Sequence, residues 1–247
     1  MEEGKSTVRA VERALDILLC FTTDNEWGMA EIAERVGLHK STVHRMLATL
    51  ENRGFVERDR VTDRYRLGIK IWELSAMLSR SDDPAVIWLP EMERLRDLLG
   101  ETVSLYVRDG MERIRIQAVQ SNQAVRRVAP VGARLPLYVG ASSKVLNAYA
   151  DPAELEAIMS ADSWPASIDR NQYLQQLADI REAGYATSIE EREAGVAAVS
   201  APIFDRTGKL VAALSVSGPA SRLTMEKMRE HAPLIMETAG RMGTMTL

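Results

Sequence analysis

The chain has 247 residues, of which 46% are hydrophobic and 27% are charged, and its formal net charge is −4. This length fits two modest domains, and the near-average composition excludes collagen-like, coiled-coil, low-complexity and disordered classes. The apolar run Ile17 to Phe21 is far too short for a membrane span and the first residues lack the basic start of a signal peptide, so we expect a cytoplasmic protein without membrane contact.

The charge is unevenly distributed along the chain. Residues 1–80 hold 13 basic and 13 acidic side chains, so the excess of acid lies in residues 81–247. Residues 35–70 hold nine Lys and Arg against four Asp and Glu, a local net charge of +5. Such a segment is typical of nucleic-acid binding, although a solvated surface with many salt bridges has the same composition.

The first third of the chain predicts three helices in succession. An amphipathic helix over 8–21 is indicated by apolar residues at helical spacing, namely Val11, Ala14, Leu15 and Leu18. A second helix is predicted over 29–36, with Gly37 as its stop, and a third begins at Lys40. Helix, short glycine-containing turn and helix is the helix-turn-helix arrangement.

The third helix has two contrasting faces. At 100° per residue, one face is apolar and consists of Val43, Met46, Leu47 and Leu50. The other is small and polar and includes Thr42, His44, Arg45, Ala48, Thr49 and Asn52. These polar groups are able to reach base edges and phosphates, although an ordinary amphipathic surface helix would have the same pattern.

A basic hairpin follows the third helix. Strands are predicted over 55–58 and 64–67, with a turn over 60–63 and Gly68 as the closing residue. A hairpin in this place is a wing, whose arginines would contact phosphates beside the helix. The predicted DNA-binding residues are therefore Lys40, Ser41, Thr42, His44, Arg45, Thr49, Arg53, Arg58, Arg64 and Arg66.

A connecting helix is predicted over 69–79, before the breaking sequence Ser81-Asp82-Asp83-Pro84. We therefore divide the chain into a DNA-binding domain (1–68), a linker helix (69–83) and a C-terminal domain (84–247). The C-terminal domain should open with one helix over 85–99 that ends at Gly100 and turns five residues inward: Leu89, Met92, Leu95, Leu98 and Leu99.

The remainder mixes strands and helices. Hairpin strands over 102–108 and 112–119 surround Asp109-Gly110, and further strands are predicted over 185–189, 195–204 and 209–217. A helix is predicted over 139–150, and two capped helices should begin after Asp151 and Asp169, the second ending at Gly184. A last helix should begin near Thr224, kinked or interrupted by Pro233. The predicted class is α+β with a mainly antiparallel sheet.

The last predicted strand has one apolar face, made of Leu210, Ala212, Leu214 and Val216. Its other face consists of smaller side chains, two of which carry hydroxyl groups: Val211, Ala213, Ser215 and Ser217. The small face leaves room and hydroxyl groups for a small polar ligand, although small residues on a sheet also let a helix pack closely. The loop 138–143 leads into a helix N-terminus, which favours an anion and makes a carboxylate ligand plausible.

Several motifs together resemble the IclR family of bacterial transcriptional regulators. The N-terminal motifs are Val-Glu-Arg-Ala-Leu-Asp-Ile-Leu (11–18), Glu-Ile-Ala (31–33), Lys-Ser-Thr-Val-His-Arg (40–45) and Arg-Tyr-Arg-Leu-Gly (64–68). The C-terminal motifs are Leu-Pro-Leu-Tyr (135–138), Ser143-Lys144, Gly184-Tyr185, Glu191 with Gly195, Ala-Pro-Ile-Phe-Asp (201–205) and Ser-Val-Ser-Gly-Pro (215–219).

This resemblance implies a winged helix-turn-helix that binds a pseudo-palindromic double-stranded operator as a homodimer or homotetramer. It also implies a GAF-like C-terminal domain that binds a small effector, for which organic and aromatic acids are the expected class. The family's effector pocket falls on Leu135, Ala141, Ser142, Ser188, Ala198, Ser215 and Ser217. Ser143, Ser188 and Ala198 differ from residues common at these positions in relatives, so the identity of the effector does not carry over.

No enzymatic site, metal site or cofactor is predicted. His39 and His44 are five residues apart, unlike the i, i+4 pair of a zinc helix, and no phosphate-binding loop or nucleophile elbow occurs. Ser143 and Lys144 could suggest a nucleophile and its base, but adjacent side chains on a helix point about 100° apart. The alternative to DNA binding is a winged helix that binds a protein, and the salt dependence of binding separates the two.

Overall fold

The computed structural model describes residues 7–78, 84–126, 128 and 130–245. The chain divides between residues 80 and 81 into two compact units, within the segment 69–83 predicted as a linker. Both units combine helices with antiparallel strands, so the α+β prediction is confirmed.

The described part of the N-terminal unit consists of four helices and three short strands. They are α1 (Arg9–Cys20), β1 (Trp27–Gly28), α2 (Met29–Arg35), α3 (Lys40–Asn52), β2 (Val56–Arg58), β3 (Arg64–Leu67) and α4 (Ile69–Leu78). The three strands form an antiparallel sheet in the order β1-β3-β2. The predicted helices and wing are present, whereas the two-residue strand β1 was not predicted. The predicted end of the connecting helix, Ser79, lies outside the described residues.

The core of the N-terminal unit forms where α1, α2 and α3 meet the sheet. It consists of Ile17, Cys20, Phe21, Ile32, Ala33, Val43, Leu47, Val56 and Tyr65. Of the stripe that predicted α1, Leu18 packs against this core and Ala14 is half-buried, whereas Val11 and Leu15 are 54% and 53% exposed. α1 carries apolar residues on two sides, so periodicity alone did not separate the buried side from the exposed one.

Two glycines shape the wing and the turn before α3. Gly37 has φ of +64°, a left-handed conformation that ends the path of α2. Gly68 lies at the base of the wing, where a Cβ atom would be 2.3 Å from the carbonyl oxygen of Gly54. Only a residue without a side chain fits there, and the close approach closes the hairpin immediately before α4.

The C-terminal unit is built around one large sheet. Its described elements are α5 (Pro84–Ile87), α6 (Leu89–Leu99), β4 (Thr102–Asp109), β5 (Glu112–Val119), β6 (Arg134–Pro136), α7 (Ala141–Ala148), α8 (Pro152–Ser160), α9 (Arg170–Ala183), β7 (Ala186–Ile189), β8 (Val196–Phe204), β9 (Leu210–Pro219) and α10 (Met225–Met245). The antiparallel sheet has the order β6-β5-β4-β9-β8-β7. The short strand β6 was not predicted.

The prediction of one helix over 85–99 was wrong. The segment breaks at Trp88 into α5 and α6, and the Trp88 side chain is fully buried, with its indole N–H donating to the Met242 carbonyl at 2.6 Å. Met92 and Leu95 are buried as expected, but Leu98 is 59% exposed. On the helical wheel Leu98 lies about 60° beyond Leu95, at the margin of the inward face.

The sheet separates two hydrophobic cores. Ala212, Leu214 and Val216 pack in the core shared with α6 and α10, whereas Ala213 packs in the core shared with α7 and α9. This alternation was predicted, but it fails at the start of β9. A bulge opposite Ile203 and Phe204 shifts the register, so Leu210 packs against the second core and Val211 against the first.

The helix ends follow the sequence closely. Asp151 Oδ1 accepts from the Ala153 amide at 3.0 Å, and Glu154 Oε2 accepts from the Asp151 amide, which is the predicted capping box of α8. Of the predicted kink or interruption at Pro233, the interruption is wrong, because α10 continues through this residue, and the kink stays a prediction. Pro233 is exposed, so water is able to reach the backbone carbonyl that its missing N–H leaves unbonded.

Candidate nucleic-acid interface and ligand pocket

α3 presents its polar side chains to solvent. Val43 and Leu47 are fully buried, and the angles that place them inward turn the opposite side of the helix outward. The predicted DNA-binding residues of α3 and its C-cap are exposed, except for half-buried Thr42: Lys40, Ser41, His44, Arg45, Thr49 and Arg53. These residues form one continuous surface, which we call the α3 outer face.

Local hydrogen bonds fix the start of α3. His39 is its N-cap, and Nδ1 of His39 accepts from the Ser41 amide at 3.3 Å and lies 2.8 Å from Ser41 Oγ. In the middle of the helix, the Thr49 hydroxyl donates to the Arg45 carbonyl at 2.9 Å. Two hydroxyl groups of the α3 outer face are therefore held in defined orientations.

The cations of the α3 outer face differ from those of the wing. Within the described residues, the side chains of Lys40, Arg45 and Arg53 have no hydrogen-bond or salt-bridge partner. Arg60 at the wing turn is likewise unpaired there. Unpaired, exposed cations are available to phosphates without breaking an internal contact.

The wing arginines, by contrast, have partners inside the N-terminal unit. Arg58 pairs with Asp63, and Arg66 Nε bonds to Glu57 at 2.5 Å. Arg64 Nη2 bonds to Glu31 Oε2 at 2.8 Å and to the Glu26 carbonyl at 3.0 Å.

Arg64 therefore ties β3 to the start of α2. The pKa of the Glu31 carboxyl is lowered, first by the hydrogen bond from the Gly28 amide and then by the one from Arg64. The exposed pairs of Arg58 and Arg66 are weak enough to exchange for phosphate contacts. Arg64, which is half-buried, has a clear structural role in addition to its predicted contact.

Six of the seven residues predicted for the effector pocket line one cavity of about 50 Å³ in the C-terminal unit: Ala141, Ser142, Ser188, Ala198, Ser215 and Ser217. The seventh, Leu135, lies on β6 opposite Arg113 and packs against the second core. A larger open groove of about 850 Å³ lies elsewhere in this unit, lined partly by the ion pair of Arg108 and Glu154.

The strand register explains why the serines meet. Ser215 on β9 is opposite Ser200 on β8 and Ser104 on β4, and directly opposed residues of antiparallel strands share a face. Two residues along, Ser217 is opposite Ala198, which in turn is opposite Ser188 on β7. Among the described residues, the buried hydroxyls of Ser104 and Ser200 have no hydrogen-bond partner.

The sequence analysis did not predict one aromatic and several charged side chains that line the cavity. Tyr106, Arg113 and Arg115 line it from β4 and β5, and Arg192 and Glu193 line it from the loop before β8. Arg113 and Arg115 are only 3% and 2% exposed. The alternation Arg-Ile-Arg-Ile over 113–116 was the available signal, because it places both arginines on one face of β5.

The Tyr106 ring lies against both arginines. Its centroid is 5.4 Å from the Arg113 guanidinium carbon and 5.0 Å from that of Arg115, and the Tyr106 hydroxyl accepts a hydrogen bond from Arg115. Burial lowers the pKa of Arg113 to about 10, which still leaves the side chain charged at neutral pH.

The N-terminus of α7 forms one wall of the cavity. Gly140 has φ of +95°, and its amide donates to Glu191 Oε2 at 3.0 Å. Lys144 Nζ bonds to the other oxygen of Glu191 at 2.6 Å, while the Ser143 hydroxyl contacts Arg113 and the carbonyls of the preceding loop. Ser143 and Lys144 therefore have separate partners and do not form a nucleophile and base pair.

The described residues contain no cluster of three or more His, Cys, Asp and Glu side chains with the geometry of a metal site. In the same part of the chain, no helix has both the length and the apolar character that crossing a membrane requires.

Comparisons with known proteins cover nearly the whole chain. Residues 81–243 match the family model of the bacterial transcriptional regulator IclR C-terminal domain, and residues 10–60 match the IclR helix-turn-helix domain. The chain is 31% identical over 246 residues to the HTH-type transcriptional regulator KdgR of Escherichia coli, covering 98% of this chain and 93% of KdgR.

Solved structures of similar proteins share this fold. An IclR transcriptional regulator from Alicyclobacillus acidocaldarius superposes with a TM-score of 0.84 at 28% identity, covering 98% of this chain and 100% of that chain. An IclR homolog from Microbacterium hydrocarbonoxydans, complexed with 4-hydroxybenzoate, gives a TM-score of 0.79 at 28% identity, covering 93% and 98% of the two chains.

Proposed function

The chain belongs to the IclR family of DNA-binding transcriptional regulators, and from this premise we propose how its two units bind their ligands. The α3 outer face contacts a double-stranded operator in the major groove. The cavity beneath α7 binds a small organic or aromatic acid that modulates operator binding. As a bacterial regulator acting on DNA, the protein works in the cytoplasm and catalyses no reaction.

The observation that carries the DNA-binding proposal is the set of unpaired cations on the α3 outer face. Arg45 lies at its centre and is suited to a bidentate contact with guanine, with His44 and Thr49 at neighbouring base pairs. Lys40 and Arg53 lie near the two ends of α3, where they would contact phosphates. Arg58 and Arg66 would add phosphate contacts from the wing.

Exposed apolar side chains support self-association of the N-terminal unit. α4 has no buried residue among those described, and its apolar side chains Ile69, Trp72 and Met77 are 66%, 70% and 71% exposed. α1 exposes a second stripe, consisting of Val8, Val11, Leu15 and Leu19. A monomer rarely leaves so much apolar surface in water, so we assign these faces to contacts between copies of the chain.

Self-association fits the operator expected for this family. A two-fold dimer places two copies of α3 in major grooves one or more helical turns apart, on a pseudo-palindromic site. The effector would act by binding the DNA-competent and DNA-incompetent arrangements with different affinity, coupled through the linker segment 69–83. A dimer of dimers extends the same contacts to a homotetramer.

The test is binding to a duplex that contains the promoter region beside the protein's own gene, measured by fluorescence anisotropy over a range of salt concentrations. A dimer with six to ten phosphate contacts should lose about 10³–10⁵ in affinity between 50 and 200 mM salt. Weak binding with no preference over random duplex would favour the protein-binding alternative and would overturn the proposal.

A further inference from the structure

Arg113 is a buried cation without an anionic partner. Its side chain is 3% exposed and lines the cavity, yet no described carboxylate lies within ion-pair distance of it. Burying a guanidinium without a counter-charge is costly, and proteins normally avoid it. The position of Arg113 therefore calls for an anion that the chain itself does not supply.

The hydrogen bonds of Arg113 are confined to one nitrogen. Nη1 donates to the carbonyls of Pro136 and Val139, the second at 3.0 Å, and contacts Ser143 Oγ. Nε is buried and has no partner among the described residues, and no hydrogen bond within them is made by Nη2. Nε and Nη2 form the edge of a guanidinium that binds a carboxylate with two parallel hydrogen bonds.

The surroundings of this edge favour an anion as well. A Cβ atom on Gly140 would be 3.2 Å from Arg113 Nη2, so the guanidinium lies against the start of α7, where the helix dipole is positive. Three arginines and two glutamates line the cavity, and Lys144 neutralises one of those glutamates, Glu191. The cavity therefore carries an excess of positive charge.

The cavity is also lined by serine hydroxyl groups. Ser142, Ser188, Ser215 and Ser217 line it, and their hydroxyls make no hydrogen bond to another described residue. The cavity, of about 50 Å³, is small. The buried part of a ligand is therefore only a few atoms, with a charged end and a hydrogen-bonding end.

We propose that Arg113 is the anchor of the effector pocket and binds the ligand's carboxylate side-on through Nε and Nη2. The ligand is a small carboxylic acid whose second polar group is bound by the serine hydroxyls. This inference rests on the proposed effector site and adds the residue that selects for a carboxylate. Because Arg113 also holds the loop before α7, binding there would be transmitted to that loop through the same guanidinium.

The experiment compares acids with their uncharged amides. Thermal unfolding of the full chain is followed with glycolate, acetate and 4-hydroxybenzoate, and with glycolamide, acetamide and 4-hydroxybenzamide, each up to 50 mM. At least one acid should raise the unfolding temperature of the C-terminal unit in a saturable way, whereas its amide should not. Stabilisation by none of the acids, or equal stabilisation by acid and amide, overturns the proposal.

Variants separate anchoring from a purely structural role. Arg113→Gln should weaken binding of the active acid at least about 30-fold, the lower end of the loss expected when a buried charge partner is removed. Arg113→Lys keeps the charge and a donor for the Pro136 carbonyl but lacks the two-pronged edge, so it should weaken binding about tenfold and keep the fold. Wild-type affinity in the Lys variant would overturn the side-on contact even if the Gln variant fails to fold.

Arg134→Gln is the matched control, because Arg134 is exposed on neighbouring β6 and pairs with Asp109 and Glu112 outside the cavity. Its acid binding should equal that of the wild type. Operator binding of Arg134→Gln without acid should also equal that of the wild type. A wild-type protein that binds acids but not DNA would contradict the proposed function and leave the anchor standing.

Discussion

The two arginines that carry the proposals, Arg45 and Arg113, differ in burial and in their partners. Arg45 is exposed and unpaired within the described residues, whereas Arg113 is buried and anchored on one side only. Sequence periodicity predicted the first, because α3 has a sharp division between apolar and polar faces. It did not predict the second, since a buried arginine breaks the rule that charged side chains face water.

Some residues of the pocket were predictable from the sequence and others were not. The small residues on β8 and β9 were predicted because strand alternation and family resemblance both indicate them, and the register brings them together. Glu191 and Lys144 meet from segments 47 residues apart, and no local pattern encodes such a contact.

Replacing Arg45 with Ala should remove a base contact without disturbing the fold. We expect the affinity for the best operator to fall by about 1–3 kcal/mol and discrimination at one base position to relax. Arg53→Ala should instead weaken all duplexes similarly and lower the salt slope by about one. Arg9→Ala, which removes an exposed charge on α1, is the control in the same anisotropy assay. An Arg45 variant that behaves like this control would show that the α3 outer face does not read bases.

Among the secondary-structure elements, most helices and the hairpin strands were predictable, whereas β1 and β6 were not. The ends of α2, α8 and α9 follow from Gly37, Asp151 and Asp169, whose effects act within one turn. β1 and β6 have two and three residues, and they are strands only because a distant partner bonds to them. The break at Trp88, by contrast, had a local signal, because Pro90 lies in the first turn of α6 and a proline cannot donate to the carbonyl four residues before it.

Pro233 lies within α10 and costs that helix one backbone hydrogen bond. Since the ring is exposed and touches no core, Pro233→Ala should stabilise the C-terminal unit by about 1–3 kcal/mol. Urea unfolding followed by circular dichroism measures the change. Gly240→Ala, at an exposed position of the same helix with open space, should gain no more than about 1 kcal/mol. Unchanged or lower stability of the Pro233 variant would indicate that the proline is needed for packing.

For the whole molecule, we expect the exposed face of α4 to contribute to the proposed contact between copies. Trp72 is 70% exposed in a single chain, so association through α4 should bury it. The fluorescence of Trp72 is obtained as the difference between the wild type and Trp72→Phe. At micromolar protein concentration, this fluorescence should be protected from quenching by iodide. The fully buried Trp88 gives the reference for complete shielding. Strong quenching of Trp72 in the associated protein would exclude α4 from the interface.

The exposed apolar face of α4 and the resemblance to the family together support the proposal that a second copy covers this face. A protein dimer with two-fold symmetry would bind an operator with the same symmetry, which no single residue determines.

In the proposed function, two α3 outer faces contact one duplex in a sequence-dependent way. Selection of bound sequences from a random duplex library, using the full chain at physiological salt, tests it most directly. We predict enrichment of an inverted repeat whose half-sites are centred a whole number of helical turns apart, each about 10–10.5 base pairs, with one half-site position losing its preference in Arg45→Ala. Enrichment of no sequence, or of the same repeat with unchanged preferences in the Arg45 variant, would contradict the account.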